Sequence, residues 1–234
     1  MDKAQKLQEE IMMSVGYKAM MQLELLSLNF HVFDANYRQW NGYIASLNNP
    51  RIFMQLWDYK SRTESNLVLA EITRLLLNFL GSATSLVAAT RNSVPIWYKG
   101  TEFAQEYQAM VDRISSTDDA KFIEGLRNYA QHDRLPFVKE GYDINMQDKS
   151  IAMHFVLDRD VLLQGEWKKK GKEFLLRSGK EIEIRNIIDD YHSKILEFHQ
   201  WIFTSIQEIN SQEIQVTSKK QEELKELLKE FFEL

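Results

Sequence analysis

The chain has 234 residues and a mass of 27.6 kDa, which fits one domain or two small ones. It contains no Cys, which excludes disulfides, cysteine-ligated zinc, iron–sulfur clusters and thiol catalysis. A net charge of -5 excludes a globally basic nucleic-acid binder but is compatible with a local basic patch. With 9 Gly and 3 Pro, the composition favours long helices over strands and tight turns.

The first half of the chain has the periodicity of long helices. Apolar residues recur at three- and four-residue spacing over residues 3–47, where Asn48-Asn49-Pro50 predicts an end. A second helical run is predicted from Ile52 to about Arg91, ended by Asn92-Ser93-Val94-Pro95. A shorter helix is predicted over about 101–114.

The second half combines helices with one β-hairpin. A helix is predicted from Ser116 or Thr117 to about Asp133, with Ser116 and Asp119 close to a capping box. Alternating apolar residues over 142–157 predict an inserted hairpin. Further helices are predicted over the ranges 159–178 (closed by Gly179), 183–211 and 218–233.

These elements predict an all-α fold with a small β-hairpin near residues 142–157. Because no repeat or linker-like tract interrupts the chain, we expect a single helical-bundle domain over 1–234. The N-terminus lacks an apolar signal segment, and the apolar stretch 66–90 carries Glu71, Arg74 and Asn78. We therefore expect a cytoplasmic protein with no membrane contact.

Motifs for common cofactors and metals are missing from the sequence. It has no Gly-rich phosphate loop, no His-Glu-x-x-His and no Asp-x-Asp calcium loop. The His residues are scattered along the chain, at positions 31, 132, 154, 192 and 199. We therefore expect no bound metal and no cofactor.

One segment, residues 125–136, concentrates chemically useful side chains at the end of a helix. On a helical wheel one face is apolar and the opposite face is polar: Phe122, Leu126, Tyr129 and Ala130 against Arg127, Asn128, Gln131 and His132. We call Arg127, Asn128 and His132 the motif triad. Arg can bind a phosphate and stabilise charge that grows on it, and His can transfer a proton near neutral pH. The alternative is an ordinary helix surface with Arg127 in a salt bridge.

The motif triad, in the form Arg127-Asn128-x-x-x-His132 followed by Leu135-Pro136, resembles the motif of the higher-eukaryote and prokaryote nucleotide-binding (HEPN) superfamily. The resemblance implies an antiparallel helical bundle and a metal-independent endoribonuclease with the motif triad in its active site. It also implies a homodimer, an RNA substrate, and a toxin–antitoxin or abortive-infection role with a cognate antitoxin protein. The alternative function is a non-catalytic helical scaffold that binds a partner protein or a nucleotide.

A second match to the same spacing, Arg185-Asn186 with His192, is predicted to be structural. Arg185 and Asp189 are spaced as an ion pair, and His192 flanks an apolar stripe. The strongest basic run begins at Trp167 and supplies what we call the lysine cluster, Lys168, Lys169, Lys170 and Lys172. The lysine cluster could contact RNA phosphates, with Trp167 stacking on a base, or be a solvated face with Trp167 in the core.

Overall fold

The computed structural model describes residues 2–49, 51–52, 54, 62–145, 147 and 150–232. Within them, nine helices alternate with one small sheet, which confirms the predicted mostly helical fold. The helices are α1 (Asp2–Met13), α2 (Val15–Leu47), α3 (Arg62–Trp97), α4 (Glu102–Ser115), α5 (Asp118–His132), α6 (Arg159–Leu162), α7 (Lys169–Arg177), α8 (Ile184–Ile209) and α9 (Ser211–Phe232). The strands are β1 (Val138–Asn145), β2 (Ser150–Asp158) and β3 (Glu181–Glu183).

The chain divides into two compact units. One comprises Met1–Phe30 and Glu197–Leu234, and the other comprises His31–Leu196. In the first unit α1 packs against α9, and Lys220 on α9 donates to Glu10 on α1 at 2.8 Å. The second unit contains the sheet, the motif triad and the lysine cluster. The expectation of one domain over 1–234 remains a prediction.

The core of the larger unit joins helices that are distant in sequence. Phe33 of α2 lies 5.3 Å from Phe79 of α3, and both rings meet Tyr191 of α8 edge-on at 6.3–6.4 Å. Phe33 and Phe79 are fully buried. Burying an aromatic side chain of this size contributes about 1.5–3 kcal/mol each, so this cluster orients the three helices.

The sheet is larger than the hairpin that the sequence predicts. β1 and β2 pair antiparallel from Val138 with Leu157 to Asn145 with Ser150, and β3 adds to the other side of β2. The predicted hairpin is therefore confirmed, but β3 was missed because three residues show no strand periodicity. Its central residue, Ile182, is buried, which supplies the tertiary contact that makes it a strand.

Several predicted helix ends are wrong. Pro95 lies inside α3, where Val94 and Tyr98 on either side are buried and hold the last turn despite the missing Pro N–H. The N-cap of α5 is Thr117, one of the two predicted start residues, but the capping box predicted at Ser116 is wrong, because the Ser116 hydroxyl donates to the Arg113 carbonyl in the preceding helix. The predicted start of the 52–91 run includes residues 53 and 55–61, which lie outside the described residues.

Two other predicted helices also differ from the structure. The helix predicted over 159–178 is split into α6 and α7, and α7 is capped at Ser178 rather than Gly179. The last helix begins at Ser211 rather than Ser218, because Thr217 packs inside the α1–α9 pair and its hydroxyl meets that of Ser14 at 3.0 Å.

One helix among the described residues, Thr63–Trp97, is long and apolar enough to cross a membrane by length and composition. Its most apolar window has a mean hydropathy of 1.4, and 44% of that window is buried. Ile72, Leu76 and Phe79 of this helix are fully buried within the larger unit. A core helix passes the same test, so this finding is weak evidence for a membrane span.

Candidate functional site

The motif triad lies on α5, whose apolar side is buried as the sequence predicts. Phe122, Leu126 and Tyr129 are at most 1% exposed. The helix packs against α3 and α7 within the larger unit. Because one side of α5 is fixed in this way, the residues on its remaining surface have defined positions.

Trp167 fixes α7 against the motif helix. Its ring stacks on Phe122 and Tyr129 at centroid distances of 5.9 and 6.2 Å, and its Nε1 donates to the Leu162 carbonyl at 2.7 Å. Gly125 lies directly beneath the ring, and any Cβ there would collide with it. Trp167 is therefore engaged in packing on α5, as in the second of the two readings that the sequence left open.

Two ion pairs hold the first turn of α5. Lys194 of α8 donates to the buried carboxylate of Asp119 at 2.7 Å, and Arg177 of α7 lies 3.0 Å from Asp118. Acidic residues in a first helical turn also interact favourably with the helix dipole. These contacts tie α5 to α7 and α8 at the end opposite to His132.

Arg127 is half-buried and its charge is not neutralised by a carboxylate within the described residues. Its Nη1 donates to Asn128 Oδ1 at 3.0 Å, and its Nε is buried without a hydrogen-bond partner in the described part of the chain. The Asn128 amide therefore orients the guanidinium. A guanidinium is a group that binds phosphate, so an anion of this kind is the ligand that suits Arg127.

His132 is the last residue of α5 and is exposed. Asn128 lies one helical turn before it, so both side chains border the same strip of surface. Between Arg127 and His132 the structure describes no direct contact. The three side chains thus form an open polar surface with a fixed cation, an amide and an accessible imidazole.

The first residue of the lysine cluster, Lys168, contacts α5 one helical turn before Asn128. Lys168 donates to Glu124 on α5 at 2.5 Å, and Lys121 donates to the other carboxylate oxygen of Glu124 at 3.2 Å. Burial opposes ionisation of Glu124, but the hydrogen bonds from Lys168 and Lys121 outweigh it and lower the pKa of the carboxyl. The remaining members, Lys169, Lys170 and Lys172, are exposed and pair with no carboxylate among the described residues.

The second sequence match lies in a partly buried cluster between α2 and α8 that we call the polar seam, formed by Asp34, Tyr37, Arg38, Asn41, Arg185, Asp189 and His192. His192 is 6% exposed, its Nε2 lies 3.0 Å from Asp34 Oδ1, and its ring stacks on Tyr37 at 3.6 Å. Arg38 pairs with the other oxygen of Asp34. Burial lowers the pKa of His192, although the bond to Asp34 partly offsets it. The His192 imidazole is therefore part of the packed interior, as the sequence predicts.

Arg185, the other half of that match, belongs to the same seam. Its Nη2 donates to Asn41 Oδ1 at 3.3 Å, and its Nε lies 3.7 Å from Asp189. The Tyr37 hydroxyl donates to Asp189 and accepts from Asn41. Sequence analysis did not anticipate the seam, but a signal exists in the polar residues spaced three and four apart along α2: Asp34, Tyr37, Arg38 and Asn41.

A further histidine, His199, lies in the smaller unit and was also not singled out. It is 7% exposed, stacks on Phe30 at 5.2 Å and borders an open cavity of about 210 Å³. Burial lowers the pKa of His199 to about 4. It therefore packs as a neutral ring at pH 7.

No group of three or more metal-ligating side chains occurs among the residues that the structure describes. The comparisons with known proteins add no relative. No protein-family model, curated protein or solved structure matches the chain. The candidate site therefore depends on the geometry of α5 and its surroundings.

Proposed function

We propose that the protein is a HEPN-like, metal-independent endoribonuclease in which the motif triad acts on a phosphodiester of single-stranded RNA. The observation that carries this proposal is the Arg127 guanidinium, which pairs with no carboxylate among the described residues and is oriented by Asn128 on the helix that ends in the exposed His132. An RNA phosphodiester carries its own nucleophile, the 2′-hydroxyl, so this chemistry needs an anion-binding group and a proton-transfer group.

In the proposed mechanism each member of the motif triad has one role. His132 removes the proton of the 2′-hydroxyl or protonates the leaving 5′-oxygen. Arg127 stabilises the negative charge that develops on the phosphorus oxygens, and Asn128 holds the guanidinium towards them. The products are a 2′,3′-cyclic phosphate and a 5′-hydroxyl.

A homodimer is part of the proposal for a chemical reason. Cleavage uses a base and an acid, whereas one motif triad supplies one imidazole, so a two-fold pair of α5 helices would supply both. The expected result in sedimentation or light scattering is a species of twice the 27.6 kDa chain mass at micromolar concentration. A monomer alone would contradict this part of the proposal.

The direct test is cleavage of single-stranded RNA by the purified protein in EDTA. We expect a 2′,3′-cyclic phosphate product and no cleavage of the corresponding DNA, which lacks the 2′-hydroxyl. His132→Ala should lower the rate about 10²–10⁴-fold. The matched control is His192→Ala, which should still cut RNA wherever circular dichroism shows that its fold is kept.

Two outcomes would contradict the proposal. Cleavage that survives His132→Ala would place the activity elsewhere in the molecule. Absence of cleavage of every RNA by the wild type would favour the alternative, a scaffold that binds a partner protein or a nucleotide through the same surface. The net charge of -5 favours that alternative, because RNA would have to approach against an unfavourable overall field.

A further inference from the structure

Three lysines of α7, the helix that packs on α5, pair with no carboxylate among the described residues. Lys169, Lys170 and Lys172 are exposed at the start of α7. The Trp167 ring anchors this end of α7 on α5, so the lysines have a defined place relative to the motif helix. A basic strip that follows a nucleic-acid backbone is the usual electrostatic part of single-strand binding.

Glu124 marks where this strip meets α5. Lys168 reaches Glu124 across the helix pair, and Lys121 binds the same carboxylate. Glu124 precedes Asn128 by four residues and His132 by eight, which is about 6 and 12 Å along the helix axis. Glu124, the residue that binds Lys168 and Lys121, therefore lies on the same side of α5 as Asn128 and His132.

We propose that the lysine cluster and Lys121 form a phosphate-binding track that guides single-stranded RNA to the motif triad, with Glu124 as a competing anion. Without RNA, Glu124 occupies Lys168 and Lys121. RNA phosphates displace the carboxylate from these two lysines, while Lys169, Lys170 and Lys172 make the first contacts. The track rests on the proposed function only in taking RNA as its ligand, because phosphate binding needs no cleavage.

The track contributes affinity through phosphates and no base recognition. Each lysine–phosphate contact on a single strand contributes about 0.7 to the slope of log affinity against log salt concentration. Trp167 is not expected to stack on a base, since its ring packs on Phe122 and Tyr129.

The test measures binding of a fluorescein-labelled, 12-nucleotide single-stranded RNA by fluorescence anisotropy over a range of salt concentrations. Every protein in the test carries His132→Ala, so that the RNA stays intact. Lys169→Ala/Lys170→Ala should weaken binding on the order of tenfold and lower the salt slope by about 1.4. The matched control is Lys219→Ala/Lys225→Ala, two exposed lysines on α9, which should change neither quantity.

A second pair of variants tests the role of Glu124. Glu124→Gln frees Lys168 and Lys121 and should tighten RNA binding about two- to fivefold. Glu226→Gln removes the same charge from a carboxylate that pairs with Lys229 on α9, and should leave binding unchanged. If the two variants change RNA binding equally, Glu124 acts only through the net charge of the protein, and its proposed role as a competing anion is wrong.

The outcomes separate this proposal from that of cleavage. If the α7 lysine variant binds RNA as tightly as its background, with the same salt slope, the track is wrong even where the wild type cuts RNA. If that variant loses binding but the wild type cuts nothing, the track stands and the nuclease proposal falls. If the protein that carries His132→Ala and no lysine substitution fails to bind RNA, the proposed track is wrong.

Discussion

The two Arg–Asn–His matches in this chain look alike in sequence but differ in the carboxylates they contact and in the exposure of their histidines. Arg127 has only Asn128 as a described hydrogen-bond partner, and His132 is exposed. Arg185 contacts Asn41 and Asp189, and His192 is buried against Asp34 and Tyr37. The difference teaches that spacing selects residue types, whereas access and unsatisfied bonding capacity decide whether they can act on a ligand.

The largest expected effect separates the two arginines by activity. Arg127→Ala should lower RNA cleavage about 10²-fold or more, because it removes the group that stabilises charge on the phosphate. Arg185→Ala should leave the cleavage rate within about twofold while it loosens the polar seam. Initial rates on one RNA at equal folded concentration measure both. Equal losses in the two variants would break the comparison.

The next effect separates the two histidines by stability. His192→Ala should lower the free energy of unfolding by about 2–4 kcal/mol, because it opens a cavity and leaves the buried Asp34 carboxylate with Arg38 alone. His132→Ala, at an exposed helix end, should change it by less than about 0.5 kcal/mol. Urea denaturation of the two variants gives both values. A stable His192→Ala protein would mean that the seam contributes little.

Two glycines sharpen the comparison between packed and open helix surfaces. Gly125→Ala should destabilise the protein by about 1–3 kcal/mol, because the added methyl group collides with the Trp167 ring. Gly81→Ala in α3 is the control, since no described atom beyond its chain neighbours and its own helix backbone lies within 4 Å of the position of its Cβ. That variant should be stabilised by about 0.5–1 kcal/mol. Thermal unfolding that ranks the two variants in the opposite order would contradict the packing of α7 on α5.

The smallest effect concerns the buried imidazoles and pH. Burial lowers the pKa of His199 to about 4, so below about pH 6.5 the unfolded chain binds more protons than the folded one. Stability should therefore fall as the pH drops from 6.5 towards 4, and the lowered pKa of His192 acts in the same direction. Between pH 7.5 and 5.5, His199 should account for roughly 1 kcal/mol.

The measurement for this prediction compares the wild type with His199→Phe, which keeps an aromatic ring beside Phe30. The loss of unfolding free energy between pH 7.5 and 5.5 should be smaller in the variant. An identical loss in both proteins would show that His199 is accessible to protons in the folded state.

The helix positions that sequence analysis predicted well are those with local causes. α4 begins after Thr101, whose hydroxyl accepts from the Ala104 N–H, and this cap is visible in the sequence. α5 also lies within one or two residues of its prediction, because Pro136 and the first-turn acids define its ends. The 3.6-residue period predicted the burial of Phe122, Leu126 and Tyr129, whereas Ala130, also placed on that face, is only half-buried.

The errors arose where distant residues override local preference. The last turn of α3 passes Pro95 because Val94 and Tyr98 are buried, and β3 exists because it pairs with β2. The single helix predicted over 159–178 is broken where the Trp167 ring turns onto α5. Such contacts join residues far apart in the chain, so no local pattern contains them.

By itself, the sequence determined the mostly helical character and the hairpin, because these follow from the periodicity of neighbouring residues. Tertiary structure alone decided that Asp34 pairs with His192, that Glu124 pairs with Lys168, and that Trp167 packs on Gly125. The physical reason is that burial and ion pairing depend on which helices meet. Helix contacts are set by the whole core, whereas helix formation depends largely on residues within one or two turns.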